Sequence, residues 1–108
     1  MFDTARHSEL VDAVFGLAPV IPVLAIDRIE DALPLCRALA DNGLPVLEIT
    51  LRTACALDAI ALVARELPHA CVGAGTVLSA TDLANVADAG ARFAISPGAT
   101  DTLFDAAK

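Results

Sequence analysis

A chain of 108 residues is long enough to bury one hydrophobic core and too short to divide into two domains. Its composition is 56% hydrophobic but only 4% aromatic, without Trp or Tyr, so the core has to be built from Ala, Val, Leu and Ile, as in parallel α/β layers. The net charge of -7 comes from acids scattered over predicted helix surfaces, and no basic cluster is present to neutralise a phosphate backbone, which argues against a nucleic-acid partner.

No apolar run reaches the roughly 20 residues needed to cross a bilayer. The opening Met-Phe-Asp-Thr-Ala-Arg-His-Ser-Glu starts polar and lacks the charged-then-apolar layout of a secretion signal. A cytoplasmic protein with no membrane partner is therefore expected. Cys36, Cys55 and Cys71 are odd in number, show no Cys-x-x-Cys spacing and fall within helix and strand patterns, so they read as small buried hydrophobes. His7 and His69 stand apart from any ligand cluster, and no metal site is expected.

In chain order, residues 4–15 carry Leu10, Val11, Val14 and Phe15 at helical spacing, with Gly16 placed to end a short helix that packs as a lid or cap. Residues 20–26 form an apolar first strand in which Pro22 argues for an edge position. Asp27 followed by Glu30 resembles a capping box for a helix over 28–42, with Ile29, Leu33, Cys36, Leu39 and Ala40 on one stripe and Pro34 expected to kink it. Asn42 and Gly43 supply a left-handed stop.

The second strand, 46–52, is the unusual one. Val46, Leu47, Ile49 and Leu51 make it a buried run, yet Glu48 sits in the middle and Arg52 closes it. Alternation places Val46, Glu48, Thr50 and Arg52 on one face and Leu47, Ile49 and Leu51 on the other. A carboxylate among aliphatics either meets a polar partner or titrates high. Two explanations stand at this point, a structural Glu48–Arg52 ion pair or a site for chemistry.

A helix over 56–67 follows, with Leu57, Ile60, Ala61, Ala64 and Leu67 on one face and Pro68 beyond it. Residues 71–77 read as a third strand whose Gly73 and Gly75 remove side chains so that something can approach the backbone. Ser79, with Asp82 three residues on, starts a helix that stops at Gly90. Residues 93–96 form a fourth strand, and Pro97 and Gly98 turn the chain into a last helix from about Thr100. Strand plus helix thus recurs at intervals of roughly 25 residues, the mark of βα units joined by right-handed crossovers into a parallel sheet. Glu48, Thr50, Arg52, Thr76, Ser96 and Pro97 then gather at the carboxyl ends of the strands, where ligands bind in both barrels and open sheets.

An open nucleotide-binding sheet would carry a Gly-rich turn after its first strand, and here that turn is Ala25-Ile26-Asp27-Arg28. Instead the chain has Leu47-Glu48-Ile49-Thr50-Leu51-Arg52-Thr53, Val72-Gly73-Ala74-Gly75-Thr76-Val77-Leu78 and Phe93-Ala94-Ile95-Ser96-Pro97-Gly98. These blocks, at these separations, resemble the 2-dehydro-3-deoxy-phosphogluconate (KDPG) aldolases, whose members also act as 4-hydroxy-2-oxoglutarate aldolases. The resemblance covers essentially the whole chain. It implies an α/β fold, the first half of a TIM (β/α)8 barrel with an N-terminal helix, and residues 1–108 as the N-terminal half of that single domain. It further implies a class I aldolase that splits a 2-keto-4-hydroxy acid into pyruvate and an aldehyde through a lysine Schiff base, needing no cofactor.

On this resemblance Glu48 matches the general acid/base, Arg52 the group that binds the pyruvate carboxylate, Thr76 a hydroxyl on the same carboxylate, and Pro97 a wall of the pocket. Against these stand plainer roles, Thr76 as a strand cap and Pro97 as a turn residue. Intact members are implied to be homotrimers. The departure from the family is at the end: a whole barrel takes roughly 200 residues or more, and the family's Schiff-base lysine lies on the sixth strand, beyond this sequence. Lys108 is the only lysine, and at the exposed end of a helical pattern it is not a substitute for the buried Schiff-base lysine. Two readings follow, half of an aldolase that is inactive alone, or a half-barrel scaffold that associates with itself through unpaired strand edges.

Overall fold

The computed structural model describes residues 3–108, so the first two residues of the polar N-terminal stretch lie outside it. The elements are α1 (Thr4–Phe15), β1 (Val23–Leu24), α2 (Ile29–Asp41), β2 (Val46–Thr50), α3 (Ala56–Glu66), β3 (Cys71–Gly75), α4 (Ala80–Asp88) and α5 (Asp101–Ala106). The strands form a parallel sheet in the order β1-β2-β3, the order that successive βα crossovers of one hand produce. Val23 lies beside Glu48, and Glu48 beside Gly73; one step on, Thr50 lies beside Gly75.

Both outer strands are shorter than the sequence suggests, for identifiable reasons. The stretch 20–26 pairs only from Pro22, whose carbonyl accepts from the Glu48 amide at 3.0 Å. Pro22 has no N–H to return, so regular strand is confined to Val23–Leu24 at the sheet edge. Residues 93–96 are a single bridge, Ala74 to Ala94, rather than a full fourth strand. They still extend the sheet, because Arg92 N donates to Val72 O at 2.8 Å and Ile95 N to Ala74 O at 2.8 Å.

One face of the sheet is closed by helices. Leu47 and Ile49 of β2 and Val72 and Ala74 of β3 pack with Ala32 and Cys36 of α2, Ala59, Ile60 and Val63 of α3, and Val86 of α4. Small residues on the helices let them lie close to the strands, so the core is made without aromatics. Ser79 caps α4 by accepting from Asp82 N at 3.0 Å, while the Asp82 carboxylate accepts from Leu78 N at 3.1 Å. Thr100 caps α5 in the same way. Asp27 does not cap α2: the N-cap position is Arg28, one residue later, and it has no side-chain cap bond. Asp27 stands one position too early for its oxygen to act as the N-cap acceptor, and Glu30 and Asp31 instead place negative charge in the first turn. Gly43 takes the left-handed φ of 94° expected after α2, whereas Gly16 ends α1 with right-handed geometry.

The helix α1 is not a closed lid. None of its residues is buried, and Leu10 and Phe15 are largely exposed. Val11 and Val14 face Phe93 and Ile95 across an apolar cavity of about 480 Å³.

Candidate active site

The face of the sheet away from the helices carries Val46, Glu48 and Thr50 on β2 and Cys71, Gly73 and Gly75 on β3. Strand alternation puts Glu48 there, and the bareness of β3 gives it room. A Cβ on Gly75 would overlap the Glu48 carboxylate, and a Cβ on Gly73 would overlap the ring of Phe93. The space cleared by the two glycines is thus filled by one acid and one aromatic ring from the same chain.

Glu48 is only 8% exposed, and its carboxylate accepts no hydrogen bond from the described residues. Burial pushes its pKa up, and the Arg52 charge pulls the other way with less effect. Glu48 and Arg52 do not form a contact ion pair: the arginine pairs among the described residues are Arg28–Glu30 and Arg65–Glu66.

Arg52 reaches the site by a different route from strand alternation. β2 ends at Thr50, and the chain turns through Leu51–Thr53, so Arg52 projects exposed from the turn instead of continuing the Glu48 face. Thr50 is fully buried and donates to Leu24 O at 3.1 Å, stitching β2 to β1. Thr76, immediately after β3, has φ of 59°. A β-branched residue in the left-handed region is a strained position of the kind found at ligand sites. Pro97 is exposed in a bend where the Ser96 hydroxyl donates to Gly98 O at 2.9 Å. The apolar cavity beside α1 involves none of Glu48, Arg52, Thr76 or Pro97, so it is separate from this constellation.

Sequence reasoning foresaw a close approach at Gly73 and Gly75, but not that the Phe93 ring and the Glu48 carboxylate make it. It also missed the Thr50 cross-strand bond and the backbone of Thr76. Alternation could have found Thr50; no local signal marks the φ of Thr76. Cys36 and Cys71 are buried, and burial raises both thiols, Cys36 to about 11. Cys55 departs from the buried-hydrophobe reading, being half-buried with its thiol donating to Ile26 O at 3.0 Å. Among the described residues no group of His, Cys, Asp and Glu is gathered as a metal ion would require, and no helix is long and apolar enough to cross a membrane.

The family model for KDPG and KHG aldolase matches residues 11–108. This chain belongs to the KDPG and KHG aldolase family. It is 51% identical over 96 residues to the KHG/KDPG aldolase of Escherichia coli strain K12, covering 89% of this chain and 45% of that protein. The 2-dehydro-3-deoxy-phosphogluconate aldolase of Zymomonas mobilis is 54% identical over 93 residues, covering 86% of this chain and 44% of its own length. The crystal structure of the Zymomonas mobilis ZM4 aldolase with 3-phosphoglycerate superposes with a TM-score of 0.86 at 52% identity, over 90% of this chain and 46% of that one. The Legionella pneumophila KDPG aldolase, solved with pyruvate captured at low pH as a covalent carbinolamine intermediate, gives 0.84 at 51% identity over 87% and 46%. The chain therefore spans a little under half the length of these aldolases, and its partial β/α fold is theirs.

Proposed function

We propose that residues 1–108 are the N-terminal half of a class I aldolase barrel, supplying its proton-transfer and carboxylate-binding groups, while the Schiff-base lysine comes from sequence outside them. The observation that carries this reading is the Glu48 carboxyl, buried over the bare Cα of Gly75 with Arg52 near but not bonded to it. In the proposed reaction the lysine amine adds to the keto carbon, and the carbinolamine oxygen leaves as water once protonated. A base then takes the proton of the C4 hydroxyl, the C3–C4 bond breaks, and its electron pair moves into the iminium, forming an enamine that is protonated and hydrolysed to pyruvate. Glu48 moves the protons, which its raised pKa suits it to do. The Arg52 guanidinium grips the substrate carboxylate as a planar fork, the Thr76 hydroxyl adds a donor, and Pro97 lines the pocket. No cofactor is called for, and the partners are small keto acids such as pyruvate and KDPG, in the cytoplasm. Completed barrels would associate as homotrimers.

The test is a fusion of this chain to the C-terminal half of the Escherichia coli relative, assayed for pyruvate release from KDPG and from 4-hydroxy-2-oxoglutarate. Release that is lost on Glu48→Gln is expected. A folded, lysine-containing fusion without lyase activity would overturn the reading.

A second reading, a self-associating half-barrel without lyase activity, is favoured by the apolar side chains left open near both sheet edges. Val20 is 57%, Val23 58% and Ile95 37% exposed. Sedimentation of the isolated chain at tens of micromolar, the range in which weak interfaces are roughly half-populated, tests this reading: a dimer is expected, and a compact monomer removes it.

A further inference from the structure

The turn that carries Arg52 is fastened on one side to β3 and on the other to the segment that follows β1. Before Arg52, the Leu51 amide donates to Gly75 O on β3 at 2.9 Å. After it, the Thr53 hydroxyl donates to the carbonyl of Ile26, two residues past β1, at 2.6 Å. Cys55 donates to the same carbonyl at 3.0 Å, and its sulfur lies 3.8 Å from the Thr53 hydroxyl. Two side chains from the β2–α3 turn therefore converge on one acceptor, and Ile26 itself is buried in the core.

We propose that Thr53, with Cys55 as a second donor, is a positioning residue that holds Arg52 over the strand ends. The inference rests on the reading of Arg52 as the carboxylate-binding group and adds the device that places it. Arg52 is exposed and makes no contact ion pair among the described residues, so none of them fixes its side chain through a salt bridge. An arginine carries a large rotamer entropy, and how often its guanidinium stands at the site depends on where the backbone launches it. Leu51 and Thr53 determine that launch point, because between them they tie the residue on either side of Arg52 to β3 and to the buried segment that follows β1. A sliding turn would keep the arginine but spread its charge over a wider volume. A role limited to capping α3 would leave that charge where it is.

The distance between Arg52 and Glu48 is the quantity to read, since Arg52 is the charged group acting on that carboxyl. In the 108-residue chain, the Glu48 Cδ resonance is titrated by carbon-13 NMR in wild type, Arg52→Gln, Thr53→Val, Thr53→Ser and Cys55→Ala. The Arg52 charge lowers the Glu48 pKa, so losing part of its effect in Thr53→Val should move the Glu48 titration upward, toward the Arg52→Gln value and not beyond it. Thr53→Ser, which keeps the hydroxyl, should titrate as wild type, and Cys55→Ala should move the same way as Thr53→Val by a smaller step. The proposal is overturned if Thr53→Val and Cys55→Ala titrate as wild type while Arg52→Gln shifts, or if Arg52→Gln leaves Glu48 unmoved. Should Thr53→Val not fold by its amide spectrum, Cys55→Ala decides: a rise supports the clamp and an unchanged value refutes it. Lyase activity does not enter this readout, so failure of the clamp and failure of the aldolase reading remain distinguishable.

Discussion

Replacing Glu48 by Gln should stabilise the folded chain at neutral pH relative to acid, and the magnitude follows from how the carboxyl is housed. Glu48 is buried, accepts no hydrogen bond from the described residues, and has its pKa raised by desolvation against a weaker pull from Arg52. Its folded pKa therefore lies above its unfolded one. Between those two values the folded state binds more protons than the unfolded state, so stability falls as pH rises. The stability of the protonated form is fully present below the unfolded pKa, about 4.3 for a glutamate, and is lost as pH rises through the folded pKa. The loss is about 1.4 kcal/mol for each pH unit separating the two values. Gln cannot ionise and escapes it. Urea unfolding of both proteins at pH 4 and pH 7 isolates this group, since titration of the other carboxylates cancels in the difference between them. Glu48→Gln should gain on wild type between the two pH values. A pH-independent difference, or a wild type favoured at pH 7, would refute the reasoning and restore a stabilising Glu48–Arg52 ion pair as the better account.

Gly75→Ala places a methyl group where the Glu48 carboxylate lies, and overpacking of this kind costs about 1–3 kcal/mol. Adding Glu48→Ala should recover most of that in a double-mutant cycle read by urea unfolding, and additive losses would show that the two residues do not compete for space. In the fused aldolase, Glu48→Gln should lower kcat by about 100 to 10,000-fold with little change in KM, while Arg52→Ala should raise KM more than it lowers kcat, because the carboxylate charge is unchanged in the transition state. A kcat within about threefold of wild type for Glu48→Gln would remove the acid/base assignment. The 108-residue chain alone should give no borohydride-trapped pyruvate adduct, since Lys108 is half-exposed and paired with Asp105 at 2.7 Å. Mass spectrometry showing stoichiometric reduction of pyruvate onto Lys108 would contradict this.

The order of elements, the parallel sense of the sheet and the inner-face placement of Glu48 were legible in the sequence, because each depends on local periodicity and on the handedness of βα connections. The helix boundaries of α1, α3 and α4 follow from their stripes, from the turn residues Gly16 and Pro68 and from the Ser79 cap. The aldolase family was legible too, from the three blocks 47–53, 72–78 and 93–98 taken together at their separations. What the sequence could not decide were the features that depend on a neighbour distant along the chain. The truncation of β1 and of 93–96 depends on which edge groups find partners, and the Asp27 cap failed because the helix began one residue later than its pattern implied. The space for Glu48 exists because β3 lies beside β2 in the register that brings Gly75 under the carboxylate. The place of Arg52 is likewise a tertiary matter: periodicity put it on the strand, but pairing ended at Thr50, and the turn beyond is held by carbonyls of Gly75 and Ile26. Periodicity is a property of one segment. Which backbone group stands opposite another is settled only when the strands meet, and it is there that the burial of Glu48 and the position of its arginine are determined.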